Sequence, residues 1–156
     1  MVNEAKIIDK KINITNGVFK IDSLYKGIKE KAESLGYLFV ERRQEKKPTK
    51  YGEELEAHFY LDKEYDYFGK VETVIELNFE NLKKVKGHDL GDLKGKIVAT
   101  QKLDYKNRWG KNKFNKFLFN VYLKIKKEDF KQKYTILIIT ETNEIYDFIK
   151  GELEEY

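Results

Sequence analysis

The sequence predicts an α+β fold: one antiparallel sheet of about five or six strands, covered on one face by an N-terminal helix and C-terminal helices. Three observations carry this. Leu55, Ala57, Phe59 and Leu61, and again Val71, Thr73, Ile75, Leu77 and Phe79, alternate with polar or charged residues, the two-residue period of strands with one buried face. After Gly110 the period lengthens to that of a helix, with Phe114, Phe117, Leu118, Val121, Tyr122 and Ile125 at helical spacing. The length, 156 residues, suits a single domain spanning 1–156.

Residues 5–21 read as extended, since Ile12 and Ile14 alternate with Asn13 and Thr15, and Asn16-Gly17 signals a turn. A helix follows at about 23–35. Leu24, Ile28, Ala32 and Leu35 share one stripe, Asp22 or Ser23 is the expected N-cap, and Gly36 suits the position just past the helix end. Strands are expected at 37–45, 55–62 and 70–79, with 46–52, which contains Pro48, as a hairpin loop. The stretch 81–95 is punctuated by Gly87, Gly91 and Gly95 and reads as a short strand at about 82–86 followed by a flexible loop; a further strand is expected at about 96–105. The final segment has two readings: mainly helical, which is preferred, or a strand at 134–140 before a helix at 143–154, because Thr135–Thr140 is rich in β-branched residues.

Asp66-Tyr67-Phe68 before the alternating 71–79 run, Tyr105-Lys106-Asn107-Arg108-Trp109 before the phenylalanine-bearing helix, and the late Ile145-Tyr146-Asp147-Phe148-Ile149-Lys150 together give the chain a recognisable pattern. In these motifs it resembles a group of small archaeal proteins of unknown function. The resemblance implies one helix, a meandering sheet and a helical C-terminus across nearly the whole chain. It brings no catalytic residues.

Composition removes several functions. There is no cysteine, hence no disulfide, thiolate metal site or cysteine nucleophile. No run approaches the roughly 18 apolar residues of a membrane span, and the N-terminus lacks an apolar core of signal-peptide length; the expectation is a cytoplasmic protein. Lysine outnumbers arginine 28 to 3 and glutamate is abundant, a habit of thermophile proteins and equally of AT-rich genomes. With only Arg42, Arg43 and Arg108 to supply a guanidinium fork, sequence-specific base readout is disfavoured, while lysines still permit non-specific phosphate attraction. Glycine-rich phosphate loops, dinucleotide fingerprints and nucleophile elbows are missing.

The histidines, His58 and His88, lie beside carboxylates. His88 with Asp89 and Asp92 has the chemistry of a divalent-metal site, but an ordinary solvated loop is the favoured reading, and no metal or cofactor is assigned. Glu53, Glu54 and Glu56, and Asp62, Glu64 and Asp66, sit among lysines facing water, so no catalytic residue is assigned either.

Charge is segregated. Residues 102–133 hold ten lysines and one arginine against three acids, and residues 141–156 hold six acids and one lysine. The basic segment interleaves aromatics. Phe114, Phe117 and Val121 are expected to turn onto the sheet, with the lysines on the solvated back of the same helix and the acidic tail free to fold over them. Phe119, off the main stripe, and Trp109, in a polar loop, are left as exposed anchors or covers of a sheet edge. The expected function is a non-enzymatic binding or adaptor protein that meets a protein partner through Lys106, Arg108, Trp109, Lys111, Lys113, Lys116, Lys124 and Lys127. Two alternatives stand beside it: non-specific nucleic-acid binding by the same lysines, and a hydrophobic small-ligand pocket between sheet and helix, as in helix-grip proteins.

Overall fold

The computed structural model describes residues 2–50 and 52–154, with Arg43 and Glu154 described by backbone only. Five long strands form one antiparallel sheet: β1 (Asn3–Phe19), β2 (Leu38–Thr49), β3 (Gly52–Glu64), β4 (Gly69–Val85) and β5 (His88–Leu103). Their order is β1-β5-β4-β3-β2, so β2 to β5 form a meander and β1 closes against the last strand. Helix α1 (Ile21–Ser34) connects the two edge strands. After β5 come α2 (Lys113–Ile125), a single turn α3 (Lys127–Phe130), a π-helical turn (Lys131–Thr135) and α4 (Ile136–Glu154).

The two-residue period appears as expected. On β3 and β4 the residues Leu55, Ala57, Phe59, Leu61, Val71, Thr73, Ile75, Leu77 and Phe79 are all buried, and their odd-numbered partners on β5 complete the apolar face. Covering it, α1 presents Ile21, Leu24, Ile28 and Ala32 near β2, while α4 presents Ile138, Ile145, Ile149 and Leu153 to β1 and β5. The two helices meet where the Phe148 ring lies over Gly27. The open face is a cross-strand lattice of charge: Lys102 reaches Glu4 at 3.4 Å and Glu72 at 2.7 Å, and Lys70 reaches Glu72 at 3.3 Å and Asp62 at 2.9 Å. Opposite charges set side by side suit a sheet face left to water.

Several sequence expectations are corrected. Asn16-Gly17 is a bulge within β1, the register jumping from Ile14↔Leu93 to Gly17↔Gly91, because Asn16 adopts φ 54° without reversing the chain. The cap of α1 is neither Asp22 nor Ser23: the helix starts at Ile21, and Lys20, in the cap position, does not cap the helix with its side chain. Gly36 does take the left-handed conformation past the helix end, φ 88°. Most of the expected loop 46–52 is strand. Pro48 is tolerated because β2 is an edge, while Tyr51, in the same expected loop, lies outside the described residues. The stretch 81–95 is no flexible loop. Lys86-Gly87, both at positive φ, make a two-residue hairpin turn between β4 and β5. Gly91 and Gly95 lie inside β5, four residues apart and so on its buried face; a Cβ at Gly91 would stand 2.7 Å from the Glu80 carbonyl oxygen. The C-terminal segment is helical over Lys127–Glu154, in line with the mainly helical reading, and the strand reading of 134–140 fails because Tyr134, Ile138 and Thr142 fall on one helical face against the core.

Candidate binding surface

The end of the sheet where β3 turns into β4 and β5 leaves carries an aromatic knot. Asp66, in that turn, is its polar centre. Its Oδ1 accepts the backbone N–H groups of Phe68 and Gly69, both at 2.8 Å, and its Oδ2 accepts the Tyr134 hydroxyl at 2.7 Å and pairs with Lys133 at 2.9 Å. Partial burial works against the charge, but these donors outweigh it and draw the carboxyl down to about 2. The Tyr134 hydroxyl is pushed up by burial and by the carboxylate it serves, so it remains a donor. The Tyr105 hydroxyl donates to the Asp66 carbonyl at 2.5 Å, and Asp104 accepts the N–H groups of Arg108 at 2.9 Å and Trp109 at 3.1 Å. The segments 66–68 and 105–109, singled out in the sequence, thus meet in space.

On this frame Phe68 stacks on Phe130 at 5.1 Å, and Trp109 lies 5.4 Å from Phe119 and 5.2 Å from Tyr122 between ring centroids. These contacts settle the rotation of α2, and they reverse the sequence expectation. Phe119 is the buried residue, 2% exposed, and Trp109 is half-buried against it. Phe114, Phe117 and Ile125 are 69%, 63% and 73% exposed, and Leu118 and Val121 are also exposed. The physical reason is the width of the apolar arc. Phe119, Tyr122 and Leu123 occupy one third of the helix circumference and the Phe114–Ile125 ridge another third, at about 100° per residue. The chain covers only the first. The sheet itself is sealed by α1 and α4, so the architecture does not depend on the ridge.

The remaining third is basic. Lys113, Lys116, Lys124 and Lys127 are exposed, as are Lys111 before the helix and Lys131 after it; among the described residues no ion pair reaches any of these six. Arg108 lies over the exposed Tyr67 ring at 5.4 Å, and Lys106 over Tyr105 at 5.9 Å. Seven of the eight expected contact residues therefore line α2 and its entrance as open cations or cation–π partners beside it, while Trp109 is a structural anchor. Of the acidic C-terminal residues, Glu141 and Glu144 are engaged elsewhere: Glu141 is buried against Lys63 at 2.6 Å and Tyr65 at 2.8 Å, and Glu144 pairs with Lys31 at 3.4 Å.

Beside α2 a groove of about 450 Å³ opens between the last turns of β5 and the α2–α3 junction. Leu103, Leu123 and Phe130 form its walls, and Lys124, Lys127 and Lys131 its rim. At its base Gln101, 7% exposed, accepts a hydrogen bond from the Thr135 hydroxyl at 2.6 Å. Sequence reasoning passed over Gln101. Its signal was a polar residue on the apolar face of the row Ile97, Ala99, Gln101, Leu103. The space between the sheet and its helices is filled by buried side chains, so an enclosed helix-grip cavity is not what this groove is.

Acids of the other candidate clusters have partners within the chain. Asp92 is occupied by the Asn16 N–H at 2.8 Å and the Asn81 amide at 3.2 Å, and no cluster of metal-ligating side chains occurs among the described residues. Glu56 pairs with His58 at 3.1 Å and Glu53 with Lys46 at 2.9 Å. Glu72, partly buried, is held below the ordinary carboxylate range by Lys102, Tyr60 and Lys70, the direction of a structural ion pair and opposite to that of a general acid. No helix among the described residues is long and apolar enough to cross a membrane. Neither a known protein family nor a curated protein matches the chain.

Proposed function

We infer that the protein is a non-enzymatic binding protein whose contact element is α2, offered to a protein partner as an amphipathic helix. The observation that carries this reading is the exposed ridge Phe114, Phe117, Leu118, Val121 and Ile125. These residues sit at i, i+3, i+4, i+7 and i+11, the anchor spacing of helices that lie in apolar grooves. Bulky side chains held in water on a helix fixed by Phe119 and Tyr122 need no ordering before they dock, which lowers the entropic cost of binding. The open lysines beside the ridge favour a partner whose groove has an acidic rim. A nucleic-acid reading is less well supported: Trp109, the strongest stacking ring beside the lysines, is packed between Phe119 and Tyr122.

The test compares the wild-type chain with the exposed-ridge variant Phe114→Gln/Phe117→Gln, each immobilised and offered nuclease-treated native lysate. A protein retained by the wild type, released by salt, lost from the variant, and bound again when purified supports the reading. Retention that vanishes with nuclease, or that is the same for both chains, refutes it.

A further inference from the structure

We propose that the groove between β5 and the α2–α3 junction binds a small anionic amphiphile: an apolar body with one carboxylate or phosphate head. The site is distinct from the exposed ridge, and it does not depend on the ridge having a partner.

Four observations converge. The first is volume and lining. About 450 Å³ walled by Leu103, Leu123 and Phe130 lies in the size range of small-molecule sites and offers an apolar body the burial it seeks. Charge is the second. Lys124, Lys127 and Lys131 come from three successive turns and stand around the same opening with no carboxylate paired to them among the described residues. Three like charges held together repel one another, and an anion at the mouth relieves that repulsion. The third is Gln101. Its carboxamide oxygen is taken by Thr135, while no described residue accepts from its NH₂ group, and the side chain lines the groove. That NH₂ group is therefore open to the groove, where a ligand oxygen can accept from it. The fourth is the backbone. The chain departs from α-helical geometry at Lys131–Thr135, where it forms a π-turn. Within that turn Tyr134 bonds to Asp66 and Thr135 to Gln101. Such insertions concentrate at functional positions.

The two kinds of contact divide the work. The walls favour any alkyl chain, and the lysines with the Gln101 amide discriminate for the charged head. A neutral molecule of the same shape would fill the walls and leave the donors unmatched.

The proposal is tested by NMR titration of the full chain with decanoate kept monomeric, and in parallel with decanol. Decanoate is expected to shift the Gln101 side-chain amide, the Leu103 and Leu123 methyls and the Thr135 amide, and to bind at least about tenfold more tightly than decanol, since a charge-assisted hydrogen bond contributes about 1.5–3 kcal/mol. In Lys124→Gln/Lys127→Gln/Lys131→Gln, all three exposed and so neutral to folding, decanoate affinity falls at least about tenfold while decanol is unaffected. Gln101→Leu, checked for retained fold by circular dichroism, narrows the same difference. Equal binding of decanoate and decanol overturns the proposal. So do shifts confined to Phe114 and Phe117, and binding seen only with phosphatidylglycerol vesicles and never with the monomer. None of these outcomes bears on the protein partner of the ridge, which the immobilised-chain comparison tests separately.

Discussion

Phe117 and Phe119 differ by two positions and by about 200° around α2, so replacing each in turn reads the helix's rotation directly. Phe119 is 2% exposed against Trp109, and Phe117 is 63% exposed. A phenylalanine side chain buries roughly 200 Å² when enclosed, equivalent to about 5 kcal/mol at about 25 cal/mol per Å². Alanine retains part of that, and measured Phe→Ala costs in cores run about 3–5 kcal/mol. Phe119→Ala should therefore cost about 4 kcal/mol, a large share of the roughly 5–15 kcal/mol that holds a domain together. Phe119→Leu, which fills more of the space, should cost roughly 1–2 kcal/mol and guards against an unfolded alanine variant. Phe117→Gln places a good helix former in water and should change stability by no more than about 0.5 kcal/mol. Urea unfolding followed by circular dichroism supplies the midpoints, with an unchanged slope confirming that the two states are the same. If Phe117→Gln loses more than about 2 kcal/mol while Phe119→Ala stays within about 1, the helix is turned the other way and the exposed ridge does not exist.

Other expectations follow from the knot and the buried pair. Asp66 titrates near 2 when folded and near the ordinary carboxylate value when unfolded; a depressed folded value gives stability that is full above the unfolded value and disappears as pH falls toward 2. After allowance for solvent screening, Asp66→Asn should lose about 1–2 kcal/mol at pH 7 and almost nothing near pH 2, measured by urea titration at both. Tyr134→Phe removes one of the donors to that carboxylate and should move the acid-unfolding midpoint to higher pH. Lys63→Met strands the buried Glu141 and should cost about 3–5 kcal/mol, while Lys63→Met/Glu141→Leu recovers most of the loss in a double-mutant cycle. Gly69→Ala drives a methyl into the Tyr134 ring and should cost about 1–3 kcal/mol, with partial rescue by Tyr134→Ala.

Where one face of an element must be buried and the other must not, the sequence was legible. Leu55–Leu61 and Val71–Phe79 alternate cleanly, and both runs are strands with the apolar residues inside. The same logic failed on α2 because the helix has two apolar faces. Local pattern favours the longer one, Phe114 to Ile125, but the choice belongs to Phe68, which arrives from a distant part of the chain, and to Trp109 and Phe130, which flank the helix and fold back onto it. Glycine was misread for a related reason. At Gly91 and Gly95 the small residue serves close packing on a strand's inner face, and only the even spacing hinted at that. Thr135–Thr140 carries strand propensity, yet the need to bury Tyr134 and Ile138 together, four residues apart, outweighs it. Of the expected contact residues the lysines stand in the open, whereas Trp109 serves as scaffold.

The pairing of β1 with β5 has a consequence for how the chain is made. The seventeen-residue strand Asn3–Phe19 leaves the ribosome long before its partner, which ends at Leu103. Until then a long ribbon with unmet amide groups trails beside a growing meander, inviting pairing with neighbouring copies. Such distant strand pairing slows folding, so this edge is where crowding at the ribosome would first be felt.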